Sequence, residues 1–246
     1  MTPILSCKDV TVAFGGFHAI DGLTLDFAEG RTCAIIGPNG AGKTTLINVL
    51  SGVYSPTKGE VHLDGRNVSH LSPNRRAGLG LGRSFQIVKV FPQMTVRKNL
   101  RIAAQKLKYR VQPFWKIAGR DDEIEARVQE VLGFVALEGL ADREANELSH
   151  GRQRALELGL TLMGNPKVLL LDEPLAGVGH SELAEMTELL RSIRQNHTTI
   201  IIEHNMDAVL SLADEIVVLE RGQVLARGEP NEVTQNPAVR EAYLGT

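Results

Sequence analysis

Hydrophobic positions follow two regimes along the chain. "RTCAIIG", "KVLLLDE", "TTIIIEH" and "DEIVVLE" each hold a short unbroken apolar run that polar or charged residues cut off. The segments that follow these runs carry a helical period: "KTTLINVLSG", "SELAEMTELLRSIRQ" and "MDAVLSLA". Strands that are apolar throughout and alternate with helices predict a parallel sheet covered on both faces, an α/β core. "DEIVVLE" and "GQVLARG", joined by "RG", predict a hairpin. Near the front, "SCKDVTVAFGG", "DGLTLDFAEG" and "GEVHLDG" alternate apolar with polar residues, which predicts antiparallel strands with one wet face. Between about residues 84 and 164 strand signals nearly vanish, and "TVRKNLRIAAQ", "DDEIEARVQEVLGFV" and "GRQRALELGLTLM" read as helices. The expected organisation is an α/β core with an antiparallel portion, built from residues 1–83 and 165–246, and an all-helical insert over 84–164. "YRVQPFWKIAG", which holds Trp115, is a poorly periodic basic-aromatic loop within that insert.

Composition narrows the class without naming a function. The 246 residues suffice for a sizeable core, and the formal net charge of -2 gives no basic excess for nucleic acid. No apolar run approaches the roughly 18–20 residues of a membrane span. "MTPILSCKDV" lacks the basic start and apolar stretch of a signal peptide. Cys7 and Cys33 have no metal-binding spacing, and Cys33 lies inside an apolar run. A reduced, cytosolic chain is expected, one that can still reach a membrane through a partner.

The chemistry gathers where predicted strands end. "GPNGAGKTT", residues 37–45, fits G-x-x-x-x-G-K-[ST] between a buried strand and a helix. Its glycines let backbone N–H groups turn toward phosphate oxygens at a helix N-terminus. Lys43 would reach the β- and γ-phosphates, and the Thr44 hydroxyl would bind Mg²⁺. "VLLLDE" places Asp172 at a strand end, where it can hold Mg²⁺ through water, with Glu173 next to it to orient and polarise a water. "IIIEHN" puts His204 at a third strand end, within reach of the γ-phosphate and that water. Ligands bind at the carboxyl ends of strands in open α/β sheets. Gln86, where the helical region begins, can touch both metal and water. In "NELSHGRQRALELGL" a Ser beside a His suggests a hydrolase, but no base and oriented third group accompany them. Ser149 also stands where a helix N-cap belongs.

Taken in order and spacing, "GPNGAGKTT", "SFQ", "LSHGRQR", "LLLDEP" and "IIIEH" resemble the nucleotide-binding subunit of ABC transporters over nearly the whole chain. The resemblance implies the ABC nucleotide-binding domain fold: a RecA-like P-loop core with an antiparallel β subdomain and an inserted helical subdomain. It implies ATP and Mg²⁺ as ligands. Phe14 matches the aromatic that stacks on adenine. Gly37, Pro38, Asn39, Gly40, Ala41, Gly42, Lys43, Thr44 and Thr45 match the nucleotide-binding loop. Thr44, Gln86 and Asp172 match the metal contacts, with Gln86 also facing the membrane subunit, and Glu173 and His204 match the catalytic base and the switch histidine. Ser149, His150 and Gly151 match the signature, which meets ATP bound to another subunit. Two half-sites per chain imply head-to-tail pairing around two ATP molecules.

Departures from the family pattern narrow the group. Position 150 is His where the general signature has Gly, Arg152 replaces Gln, and Gly179 stands where many members carry Asp. "GLGRSFQIVKVFPQMTVRKNL", "LDEPLAGVG", "VREAYLG" and the stretch around 105–120 resemble ATPases of importers for branched-chain amino acids and related amides. That resemblance implies a second ATPase, either a paralogue or another copy. It also implies two permease chains, a periplasmic binding protein, and a place on the cytoplasmic face of the bacterial inner membrane. A lipopolysaccharide-export ATPase shares every motif and remains an alternative, as does a soluble ABC ATPase without a transporter. A GTPase would be expected to show N-K-x-D, which is absent.

Overall fold

Two sheets account for the first of two structural units, which comprises Met1–Arg83, Lys167–Pro174 and Arg191–Thr246. The computed structural model describes residues 3–84, 89–108 and 121–244. The strands in chain order are β1 (Leu5–Phe14), β2 (Phe17–Phe27), β3 (Thr32–Ile36), β4 (Lys58–Leu63), β5 (Arg66–Asn67), β6 (Leu81–Arg83), β7 (Val168–Asp172), β8 (Thr198–Ile202), β9 (Glu215–Glu220) and β10 (Gln223–Gly228). The larger sheet has the order β10-β9-β3-β8-β7-β6. All its pairings are parallel except β9 with β10, the predicted hairpin. Every residue of β3, β7 and β8 is buried, which is why their sequences are apolar without alternation. β6 carries no strand signal. It is an edge strand of three residues, "LGR", and its pairing with β7 depends on the neighbour rather than on its own propensity.

The smaller sheet has the antiparallel order β2-β1-β4-β5. The expected simple alternation fails in β1, where Leu5–Cys7 and Val10–Val12 are buried as consecutive runs. β1 lies between two partners, and the register shifts between Cys7 and Val10. One buried cluster joins side chains of both sheets, from Leu5, Leu25 and Leu63 to Ile35, Leu170 and Ile202.

Helix α1 (Lys43–Leu50) is closed by an arginine from α2 (Pro73–Ala77). Arg76 is fully buried, and its guanidinium donates to the carbonyls of Val49 at 2.6 Å, Leu50 at 2.8 Å, Leu71 at 3.1 Å and Ser69 at 3.1 Å. Leu50 is one of the last carbonyls of α1, whose ends lack helical partners, and the Val49 carbonyl is shared with the Gly52 N–H at 3.1 Å. Burial pulls the Arg76 pKa down to about 10.

The second unit comprises Ser84–Pro166 and Leu175–Leu190. It therefore takes in a stretch after β7 that lies outside the 84–164 insert expected from the sequence. It holds α3 (Val96–Lys108), α4 (Asp122–Phe134), α5 (His150–Leu162) and the opening turns of α6 (His180–Arg194). Asp121 caps α4 by accepting from the Ile124 N–H, and Asp122, Glu123 and Glu125 add negative charge where the helix dipole favours it. Ile124, Val128, Val131 and Leu132 recur at helical spacing and are buried. Asn99, fully buried in α3, ties the preceding loop down: it accepts from the Phe91 N–H and donates to the carbonyls of Phe91, Met94 and Thr95.

The first unit is completed by α7 (Met206–Leu212), α8 (Pro230–Gln235) and α9 (Pro237–Leu244). No described helix is long and apolar enough to cross a membrane.

Candidate functional site

Because β3, β7 and β8 are neighbours running in parallel, the polar residues that follow them emerge at one edge of the sheet. After β3 the chain turns through Gly37–Gly42 into α1. At Gly37 φ is 150°, and a Cβ there would lie 2.2 Å from the Leu219 carbonyl oxygen, so only glycine lets the loop pass β9. Among the described residues, no backbone carbonyl takes the N–H groups of Gly40, Gly42, Lys43 or Thr44. They form an anion cradle at the helix start. The Lys43 ammonium is buried and donates to the carbonyls of Gly37 at 2.7 Å and Pro38 at 3.0 Å, leaving one of its three donors for a phosphate. Burial lowers its pKa, while the charges of Glu173 and Asp172 act to raise it.

A cleft of about 370 Å³ opens over this loop. Phe14, Phe17 and Ala19 line it, together with Asn39–Thr45, Glu173 and His204. The Phe14 ring is half exposed and held edge-on by Tyr54 at 5.6 Å, which leaves a face for a flat apolar ligand.

Glu173 follows β7 with φ at 50°, a backbone conformation that costs a non-glycine residue free energy and is typical of functional positions. Its N–H donates to the Ile202 carbonyl at 2.9 Å, which fixes that turn. Its Oε1 lies 3.1 Å from His204 Nε2. His204 is oriented in turn by Glu203, a buried carboxylate that accepts from the His204 N–H at 3.0 Å and the Asn205 N–H at 3.3 Å. Asn205 then caps α7 by accepting from the Ala208 N–H. A carboxylate paired with an imidazole at the mouth of a phosphate cradle can orient a water and accept its proton.

Asp172 is buried at the end of β7, and Arg83 Nη2 lies 3.7 Å from its Oδ2. Among the described residues no three His, Cys, Asp or Glu side chains gather into a metal-binding group. Mg²⁺ keeps several waters and is usually held by one or two carboxylates plus substrate phosphates. An exposed Thr44 hydroxyl and the strand-end acids suit that ion.

The signature residues lie in the second unit. Ser149 caps α5, its Oγ accepting from the Arg152 N–H at 3.3 Å and donating to Glu182 Oε1 at 2.5 Å. A Cβ on Gly151 would lie 2.6 Å from Glu182 Oε2, so this carboxylate rests on the glycine. The His150 ring packs over Gly177, where a Cβ would come within 2.9 Å of Cε1. Arg152 binds Glu185 at 2.7 Å and approaches Glu182 at 3.8 Å. Arg154 is buried and paired with Glu157 at 2.6 Å.

Gln86 and Trp115 lie outside the described residues. Sequence reasoning missed Phe17, Arg83, Glu182 and Glu203. Only Glu203 left a signal, as a charge directly after the apolar run "TTIII".

The ABC transporter family profile matches residues 20–176, and that of the branched-chain amino acid ATP-binding cassette transporter matches residues 223–246. The high-affinity branched-chain amino acid transport ATP-binding protein BraF of Pseudomonas aeruginosa is 39% identical, over 99% of this chain and 98% of that one. The corresponding LivG protein of Escherichia coli is 37% identical over the same shares of each chain. A solved ATP-binding cassette of an ABC transporter in its ADP conformation superposes with a TM-score of 0.86 at 34% identity, covering all of both chains. A dimeric bacterial ABC transporter cassette reaches 0.76 at 25% identity, over 92% of this chain and 98% of that one. The chain belongs to the ABC transporter family, as an ATP-binding cassette similar to those of branched-chain amino acid transporters.

Proposed function

We propose that this chain is the ATP-hydrolysing subunit of an importer for branched-chain amino acids or close relatives. The observation that carries the hydrolytic part is the Glu173–His204 pair, 3.1 Å apart, beside the cradle of Lys43 and its loop. The cargo rests on the similarity to BraF and LivG, whose names state branched-chain amino acid transport.

In this reading Phe14 stacks on adenine, the loop from Gly37 to Thr45 holds the phosphates, and Lys43 turns its remaining donor to the β- and γ-phosphates. Thr44, Asp172 and Gln86 would hold Mg²⁺, which offsets negative charge on the phosphates. Glu173 orients and deprotonates the attacking water, and His204 holds that carboxylate and meets the γ-phosphate. Ser149, His150 and Gly151 face ATP bound to a second ATPase subunit, in keeping with the dimer reported for a related cassette. ATP favours the closed pair, and hydrolysis followed by phosphate release reopens it. Two permease chains would read that motion at the cytoplasmic face of the membrane, and a periplasmic binding protein would deliver the cargo.

The test is nucleotide binding and single-turnover hydrolysis in Glu173→Gln. Binding persists and turnover falls by about 10²–10⁴. Turnover at the wild-type rate refutes the catalytic reading.

A further inference from the structure

The carboxylate of Asp172 is only 5% exposed, and a buried charge is costly unless compensated. One compensating cation is Arg83, itself only 12% exposed, on the neighbouring strand, and the Lys43 ammonium also feels the Asp172 charge. β6 runs parallel to β7 with Arg83 beside Leu170, so the long arginine side chain needs to climb only two residues to Asp172. The approach stops short of a direct hydrogen bond: Nη2 stands 3.7 Å from Oδ2. The second terminal nitrogen of the guanidinium explains why. Arg83 Nη1 donates to Ser51 Oγ at 2.6 Å, which ties the group to the end of α1. Burial lowers the basicity of Arg83 and Asp172 acts to restore it, while a guanidinium stays protonated in any case.

We propose that Arg83 is a positioning residue that stands in for the divalent cation at Asp172, tethered by Ser51 so that the carboxylate is neutralised but not captured. The proposal rests on the metal-holding role of Asp172. A guanidinium and a divalent cation compete for the same oxygens and repel each other at this range. Arg83 therefore keeps the nucleotide-free chain stable while holding its intrinsic metal affinity low. The metal then binds only when nucleotide phosphates supply further negative charge. The arginine acts through Asp172 and touches no reacting atom.

The experiment uses the full chain with ADP and Mn²⁺, the latter counted by its paramagnetic resonance. Arg83→Gln keeps a donor for Ser51 and removes the charge. It binds Mn²⁺–ADP at least about fivefold more tightly than wild type, the effect of deleting one nearby positive charge. Its melting temperature without metal falls, and rises more than that of wild type when Mn²⁺–ADP is added. Arg83→Lys keeps the charge and does not tighten Mn²⁺ binding. Unchanged or weaker Mn²⁺ binding in Arg83→Gln, or a lysine variant that behaves like the glutamine one, overturns the proposal. If Arg83→Gln does not fold, Ser51→Ala decides. Untying the guanidinium lets it close on Asp172 and weakens Mn²⁺ binding, whereas unchanged or tighter binding overturns the proposal. Asp172→Asn separates the two layers. If it leaves Mn²⁺ affinity unaltered, the metal role of Asp172 fails; if it weakens Mn²⁺ while Arg83→Gln does not tighten it, only the stand-in role fails.

Discussion

The Ser149 hydroxyl donates to Glu182 across 2.5 Å, and the same oxygen accepts from the Arg152 N–H. One side chain thus closes a helix start and faces a carboxylate at the spot the family resemblance assigns to another subunit's ATP. Ser149→Ala loses the cap and is expected to cost about 1 kcal/mol in denaturant unfolding. Nucleotide affinity of the isolated chain stays unchanged, while turnover of the assembled transporter falls at least about tenfold, as for loss of a transition-state donor. Reduced affinity in the isolated chain would place Ser149 in its own subunit's site instead.

At Gly37 the fold leaves no room for a side chain, since a Cβ would meet the Leu219 carbonyl oxygen at 2.2 Å. Gly37→Ala must push the phosphate loop away from β9. The expected loss is about 2–4 kcal/mol of stability together with nucleotide binding. Urea unfolding and nucleotide titration of the same sample check both. Full ATP affinity in this variant would mean the loop does not depend on that contact.

Lys43 titrates below the usual lysine value because it is buried. Only its protonated form attracts phosphates. ATP affinity is therefore retained at neutral pH and lost as pH rises through the folded-state pKa, earlier than the roughly 10.4 of a free lysine. The fold responds with the opposite sign. The unfolded chain holds this proton more tightly, so the Lys43 contribution to stability grows with pH between the folded and unfolded values. Wild type and Lys43→Met, compared for ATP binding and melting from about pH 7 to 10, should converge in affinity at the alkaline end. A constant difference across the range would contradict the assignment.

Both thiols are buried. Burial pushes Cys7 up to about 12 and raises Cys33 as well. Neither should react with Ellman's reagent at about pH 8 in the native chain, and both should react in denaturant. Because the unfolded thiols ionise first, these two residues contribute stability below about pH 8.5 and lose it above. Rapid reaction of native protein would show that the sheets around β1 and β3 open readily.

How much of this was legible follows from where the information lies. The parallel strands were readable because burial on both faces forces apolar residues at every position, as in "TTIII" of β8. The placement of Lys43, Thr44, Asp172, Glu173 and His204 was readable because each ends or follows such a strand or opens the helix after it, while their roles belong to the proposed function. β6 was not readable, since a three-residue edge strand with a central glycine has no pattern of its own. The alternation expected of β1 broke down because both faces of the strand are covered at Leu5–Cys7 and Val10–Val12, on either side of a register shift. Glu182 and Arg83 were invisible for a different reason. Their partners lie 33 positions away for Ser149–Glu182, and on another strand for Arg83–Asp172, so only the folded chain brings them together. Gln86 rests on the sequence alone.

A cassette that drives a membrane importer should be recoverable, once trapped closed, with its membrane partners. Tagged Glu173→Gln, held closed with ATP, would be recovered from detergent-solubilised membranes of the source cell and its companions identified by mass spectrometry. Two permease chains and a second ATPase are expected with it, with transport of a branched-chain amino acid lost in the variant. Recovery with soluble proteins alone, and transport left intact, would contradict the importer reading.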